Sequence, residues 1–167
     1  MKHRIGLLLA AFAVLVLGVA QAQALPVVGF KRNIERALRN EAKGDMEDAQ
    51  GYWRRVAELG EELLEANSEN TTYLMGTARA YYGVGDFARA AQLYEQFLAI
   101  HNDLGTSNMG DNYPWVFVYI GLTYGRLGDL QKVFENWERV PMTIGAVYTA
   151  IRTELANLRG QQAGEAS

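Results

Sequence analysis

Leu74-Met75-Gly76-Thr77-Ala78-Arg79-Ala80-Tyr81-Tyr82-Gly83-Val84-Gly85-Asp86-Phe87-Ala88-Arg89-Ala90-Ala91-Gln92-Leu93-Tyr94-Glu95-Gln96-Phe97-Leu98 is the stretch whose reading decides the fold. It reads as two short helices joined by a tight Gly85-Asp86 turn. Ala78 and Ala90 sit where the helices cross, and Tyr81 and Tyr94 lie about a turn away. The same punctuation stands on both sides, at Lys43-Gly44-Asp45-Met46 and Leu127-Gly128-Asp129-Leu130. Three copies of one helix–turn–helix unit imply a helical repeat protein, because no single pair can bury its apolar stripe alone.

Length and composition narrow the class. At 167 residues the chain is long enough for one domain with a sizeable core. A formal charge of −3 gives no electrostatic argument for nucleic acid, which calls for a basic face. There is no cysteine, which removes disulfides, thiolate metal sites, a cysteine nucleophile and a lipidated cysteine.

The first residues read as an address. Met1-Lys2-His3-Arg4 is basic, Ile5–Ala20 is apolar, and Ala20-Gln21-Ala22-Gln23-Ala24 offers small residues at cleavage spacing. Residues 1–24 are thus expected to be a secretory signal peptide, cleaved after Ala24 or Ala22. As a helix the apolar run would span about 24 Å, short against a hydrocarbon core of roughly 30 Å. Export to a bacterial periplasm follows, with no membrane span after cleavage. The alternative is an uncleaved anchor in the inner membrane. Removing Lys2 and Arg4 leaves 14 basic against 19 acidic residues, or −5.

Residues 25–160 then form the repeat domain, with hairpins at about 30–66, 71–100 and 113–140 and a capping helix at 143–159. In the first hairpin Ile34, Ala37, Leu38 and Ala42 make one stripe. Gly44 suits the left-handed residue that ends that helix, and Asp45 can N-cap the next. The second helix should bury Ala49, Trp53, Val56, Ala57, Leu59, Leu63 and Leu64. Thr71 or Thr72 starts the third. His101–Asn112 has a loop's composition, and Asp111 or Asn112 should cap the next helix, with Pro114 in its first turn. Pro141 stops the third hairpin early. Ile144, Val147, Tyr148, Ile151, Leu155 and Leu158 share the buried face of the cap, with Arg152 and Arg159 pointing away. Residues 161–167 read as a disordered polar tail.

These residues resemble the tetratricopeptide repeat family. The central repeat carries the likeness through Ala78, Tyr81, Gly85-Asp86, Ala90, Tyr94 and Leu98. The third follows with Gly121, Tyr124, Gly128-Asp129 and Trp137, and the first with Ala37, Gly44-Asp45, Ala49 and Trp53. The Gly-Asp turns lie 41 and 43 residues apart, against about 34 in the family. The resemblance implies an all-α tetratricopeptide-like solenoid of three hairpins plus a C-terminal cap. It also implies a concave groove, lined by the first helix of each hairpin, that grips a protein or peptide partner. Carried over by position, that groove comprises Lys31, Glu35, Leu38 and Glu41, then Met75, Arg79 and Tyr82, then Trp115, Tyr119, Leu122 and Arg126. Arginine between aromatics suits a peptide with apolar anchors and an acidic group. Ile34, Leu38 and Gly76 stand where a terminal-carboxylate clamp needs polar groups, so that use is not expected.

The functional expectation is a non-enzymatic adaptor or assembly factor of the cell envelope, with no cofactor and no metal. His101 beside Asp103 reads as a solvated loop histidine, since one imidazole and one carboxylate make a poor metal or acid–base site. The alternative is a periplasmic receptor for a small molecule or peptide fragment, with the 101–112 loop as a lid. No Ser-His-Asp arrangement, phosphate-cradling loop or dinucleotide fingerprint stands in the sequence.

Overall fold

The structure is a computed structural model that describes residues 25–103 and 115–165. The expected signal peptide, the expected caps Asp111 and Asn112, Pro114 and most of the expected 101–112 loop lie outside the described residues. Among the described residues there are seven α-helices, one 3-10 turn and no strand. The chain separates after Ser68 into two compact units.

The first unit is one hairpin. Helix α1 covers residues 25–43 and α2 covers Met46–Ala66. Ala37 and Ala49 are both buried, which lets the two backbones approach. Trp53 fills the space beside them and donates its indole N–H to the Glu41 carboxylate at 2.7 Å. Phe30, Val56, Leu63 and Leu64 complete this core. Leu38, expected on the apolar stripe, is 44% exposed.

The second unit holds α3 (Thr71–Val84), α4 (Phe87–Asp103), α5 (Val116–Leu127), α6 (Leu130–Trp137), a 3-10 turn at Met142–Ile144 and α7 (Ala146–Glu165). Helices α3 and α4 pair, α5 and α6 pair, and α4 packs on α5. Leu74, Ala78, Ala90, Leu93, Tyr94, Phe97, Phe117, Ile120 and Val133 are buried between them. Full burial of each large apolar side chain contributes roughly 1.5–3 kcal/mol.

The three Gly-Asp turns share one geometry. Gly44, Gly85 and Gly128 take φ of 83°, 93° and 79°, a left-handed conformation that L side chains adopt only with strain. In each turn the next residue's N–H reaches back five residues, from Asp45 to the Asn40 carbonyl, Asp86 to Tyr81 and Asp129 to Tyr124, at 2.9–3.0 Å. That satisfies carbonyls which a helix end otherwise orphans. Asp86 and Asp129 also N-cap the following helix, accepting from the Arg89 and Lys132 amides at 3.0 Å. Asp45 makes no such side-chain bond. The expected Asp45 cap is therefore absent, and the first turn closes through its backbone alone.

Helix α3 starts at Thr71, as expected, and Asn70 caps it, accepting from the amides of Thr72 and Tyr73 at 3.1 and 3.2 Å. Other boundaries shift. Helix α1 begins about a turn earlier than expected, with Phe30 buried inside it. His101 is not a solvated loop residue. It lies in α4, buried, with its ring 4.5 Å from Phe97 one turn earlier. The cap opens with the 3-10 turn, and Gly145 at φ 51° separates it from α7. Helix α7 reaches Glu165, so residues 161–165 are helical rather than disordered. Extending a helix already nucleated costs little, and Gln and Ala favour it. Arg152 does not point away from its neighbours: its guanidinium donates to the Glu138 carbonyl at 3.1 Å, just past the end of α6.

Candidate functional site

The second unit gathers several of the residues singled out from the sequence. Arg79 and Tyr82 stand one turn apart on α3, and Tyr119 stands on α5. The Tyr82 and Tyr119 rings meet edge to face at 6.0 Å, and the Arg79 guanidinium lies 4.5 Å from the Tyr119 centroid and 5.5 Å from that of Tyr82. Such stacking is favourable because the cation faces the negative side of each ring. Phe87, at the start of α4, packs edge-on against Tyr82 at 5.5 Å, and Arg126 covers Phe87 at 5.8 Å. Two guanidiniums and three rings thus form a continuous ladder. Tyr82, Phe87, Tyr119 and Arg79 are all half-buried, and Arg126 is exposed.

Local folding explains the convergence. Thr123 donates its hydroxyl to the Tyr119 carbonyl at 2.7 Å inside α5. Behind the ladder lies Tyr94, fully buried on α4. Burial pushes its phenol above the ordinary tyrosine range, with the Arg79 charge opposing that shift. The sequence reading placed Tyr94 only in the core; its electrostatic link to Arg79, Tyr82 and Tyr119 comes from the three-dimensional arrangement.

Among the described residues the remaining candidates take no part in these ring and guanidinium contacts. Trp115, 48% exposed, sits at the N-cap of α5 and has no ring contact with the ladder among the described residues. Met75 is half-buried on α3. Leu122 lines an apolar cleft of about 480 Å³ with Val118, Trp137, Val147, Ala150 and Ile151. Lys31, Glu35 and Leu38 form one exposed stripe of α1 in the first unit, while Glu41 is engaged with Trp53.

A polar cluster also joins the second unit's helices. Lys132 donates to the Glu95 carboxylate at 2.6 Å and to the Tyr124 hydroxyl at 3.1 Å, and Tyr124 donates to Glu95. The Lys132 hydrogen bond, then that of Tyr124, draws the Glu95 carboxyl below its usual range. Burial, then Glu95, pushes the Tyr124 phenol up. The group is a structural tie between α4, α5 and α6. Among the described residues no three His, Asp or Glu side chains come close enough to hold a metal, and no helix is long and apolar enough to cross a membrane.

Repeated antiparallel hairpins, each turned by the same Gly-Asp geometry and packed through small residues, define a tetratricopeptide-like helical repeat protein. One solved relative in fold is a candidate kinesin light chain from Podosopora anserina built of nearly identical TPR-like repeats. It superposes with a TM-score of 0.52 over 81% of this chain and 70% of that one, at 23% identity. No family profile and no curated protein sequence matches the chain.

Proposed function

We propose that the protein is a non-enzymatic interaction module that holds a segment of a partner polypeptide against the α3–α5 face. The observation that supports this reading is the Arg79 guanidinium stacked on Tyr119 and Tyr82, contributed by the first helices of two successive hairpins. Half-buried tyrosines and arginines supply large contact area with little conformational freedom left to lose, which is why such residues dominate binding hot spots. A segment with an apolar side chain for the rings and an acidic group for Arg79 and Arg126 fits this surface. The N-terminal basic-apolar-small pattern supports export, so the proposed setting is the bacterial cell envelope, with the protein acting there as an adaptor or assembly factor.

The test is co-purification from envelope extract of the native host with the wild-type chain and with Tyr82→Ala/Tyr119→Ala. Loss of two such anchors should weaken a specific complex by about 2 kcal/mol or more, about thirtyfold. Circular dichroism checks that the variant remains helical. A folded variant that keeps the same partner at undiminished yield refutes the site.

A further inference from the structure

The first unit carries an open cleft of about 650 Å³ between α1 and α2. Its charged lining consists of Arg32, Arg36, Arg54 and Arg55 together with Glu47 and Asp48. Among the described residues, none of Arg32, Arg36, Glu47 and Asp48 forms an ion pair, although both signs line one cleft. Arg54 is held by Gln50 at 3.1 Å, and Arg55 pairs with Glu58 at 3.0 Å on the exposed face of α2.

The helix register explains why the opposite charges do not meet. The Arg36 guanidinium lies 5.6 Å from the Tyr52 ring centroid, and a Cβ on Gly29 would touch Leu59 at 3.2 Å. In that antiparallel register Arg32 stands beside the Arg54–Arg55 end of α2, while Glu47 and Asp48 lie toward the Gly44 turn. Seven residues of helix separate Asp48 from Arg55, about 10 Å along the axis. The cleft is therefore acidic at one end and basic at the other, with Arg36 over the Tyr52 ring in the middle.

Its floor is open as well. Gly51 lines the cleft in the middle of α2, where a Cβ would meet nothing within 4 Å. Glycine weakens a helix interior, and neither packing nor a turn requires it here. The residues equivalent to Arg36 and Tyr52 in the next hairpin, Thr77 and Leu93, are buried. The same face is thus a packed core in one repeat and a charged trough in the other.

We propose that this trough binds a short zwitterionic peptide of about three residues, the extended length that bridges its two charged ends. The ammonium faces Glu47 and Asp48, and at the other end the carboxylate faces Arg32, which forms no ion pair among the described residues. The trough shares no residue with the Arg79–Tyr119 ladder, and the proposal stands or falls independently of it.

Calorimetric titration of the full chain tests this, with tri-alanine, N-acetyl-tri-alanine, tri-alanine amide and inorganic phosphate as probes. The free tripeptide should bind, and capping either end should raise Kd by about tenfold, the loss expected for one charge-assisted contact. Glu47→Gln/Asp48→Asn should abolish the preference for the free over the acetylated peptide. Arg32→Gln should do the same for the amide. Gly51→Leu should remove binding while leaving the thermal midpoint equal or higher, a pair of changes that damage to the fold cannot produce. No binding at millimolar tripeptide, equal affinity for capped and free forms, or phosphate binding that strengthens when Glu47 and Asp48 are neutralised would each overturn the proposal.

Discussion

Gly121 and Trp137 face each other across the third hairpin, and their contact predicts a sharp response to one added carbon. A Cβ on Gly121 would lie 2.1 Å from the Trp137 indole nitrogen and 2.2 Å from Cδ1. Neither atom is the loose end of a flexible chain, so Gly121→Ala must drive the whole indole outward. The indole's hydrogen bond to the Val118 carbonyl, at 3.2 Å, is lost with it. Overpacking costs about 1–3 kcal/mol and the broken bond about 1 more, while alanine returns about 1 through helix propensity. The net loss is about 1–3 kcal/mol, or a midpoint lowered by about 3–10 °C in a chain of this size. The second hairpin suggests the remedy, since Ala78 and Tyr94 occupy the equivalent positions and both are buried. Gly121→Ala/Trp137→Tyr should recover about half of the loss or more, a coupling that a double-mutant cycle measures directly. The assay is thermal unfolding followed by circular dichroism. A single variant as stable as wild type, or a double variant no better than the sum of its singles, refutes the reasoning.

Three further outcomes follow from the same geometry. Asn70→Ala should cost about 1 kcal/mol by removing the acceptor for two amides of α3, whereas Asp45→Ala, with no side-chain cap to lose, should stay within about 0.5 kcal/mol in urea unfolding. The depressed Glu95 carboxyl contributes stability that is present above the ordinary carboxylate range and lost as pH falls through its folded value. Both partners are about half exposed, so Lys132→Met should remove no more than about 1 kcal/mol at neutral pH and flatten the acid limb of the stability profile. Buried Tyr94 should stay protonated after exposed tyrosines ionise above about pH 10, so stability falls in that range. Its phenolate absorbance should appear only with unfolding, and Tyr94→Phe should weaken the alkaline loss.

Most of the fold could be read from the chain because the signal is repeated. Ala37, Ala78 and Gly121 recur at one position, Ala49, Ala90 and Val133 at another, and Trp53, Tyr94 and Trp137 at a third. What escaped were features decided by tertiary packing. His101-Asn102-Asp103 has the composition of a loop, yet the burial of His101 against the rest of the unit carries the helix through it. Nothing local marks Thr77 and Asn136 as buried, because polar side chains enter a core only where neighbours enclose them. In the candidate site, the approach of Arg79, Tyr82 and Tyr119 followed from placing corresponding helices side by side. Trp115 did not follow, because it stands at the N-cap, just outside the helix whose period places Tyr119. Nothing local marks the charges of the α1–α2 trough, since each looks ordinary until the pairing of the two helices sorts them by sign.

Each hairpin is closed by neighbours in sequence, through a carbonyl and an amide five residues apart. The early steps of folding can therefore begin at any of the three corners without waiting for distant segments to meet. Straining one corner, as alanine at Gly85 would, leaves the other two able to start. The injury should appear as faster local opening near α3 and α4, visible in amide hydrogen exchange, before the remaining helices loosen.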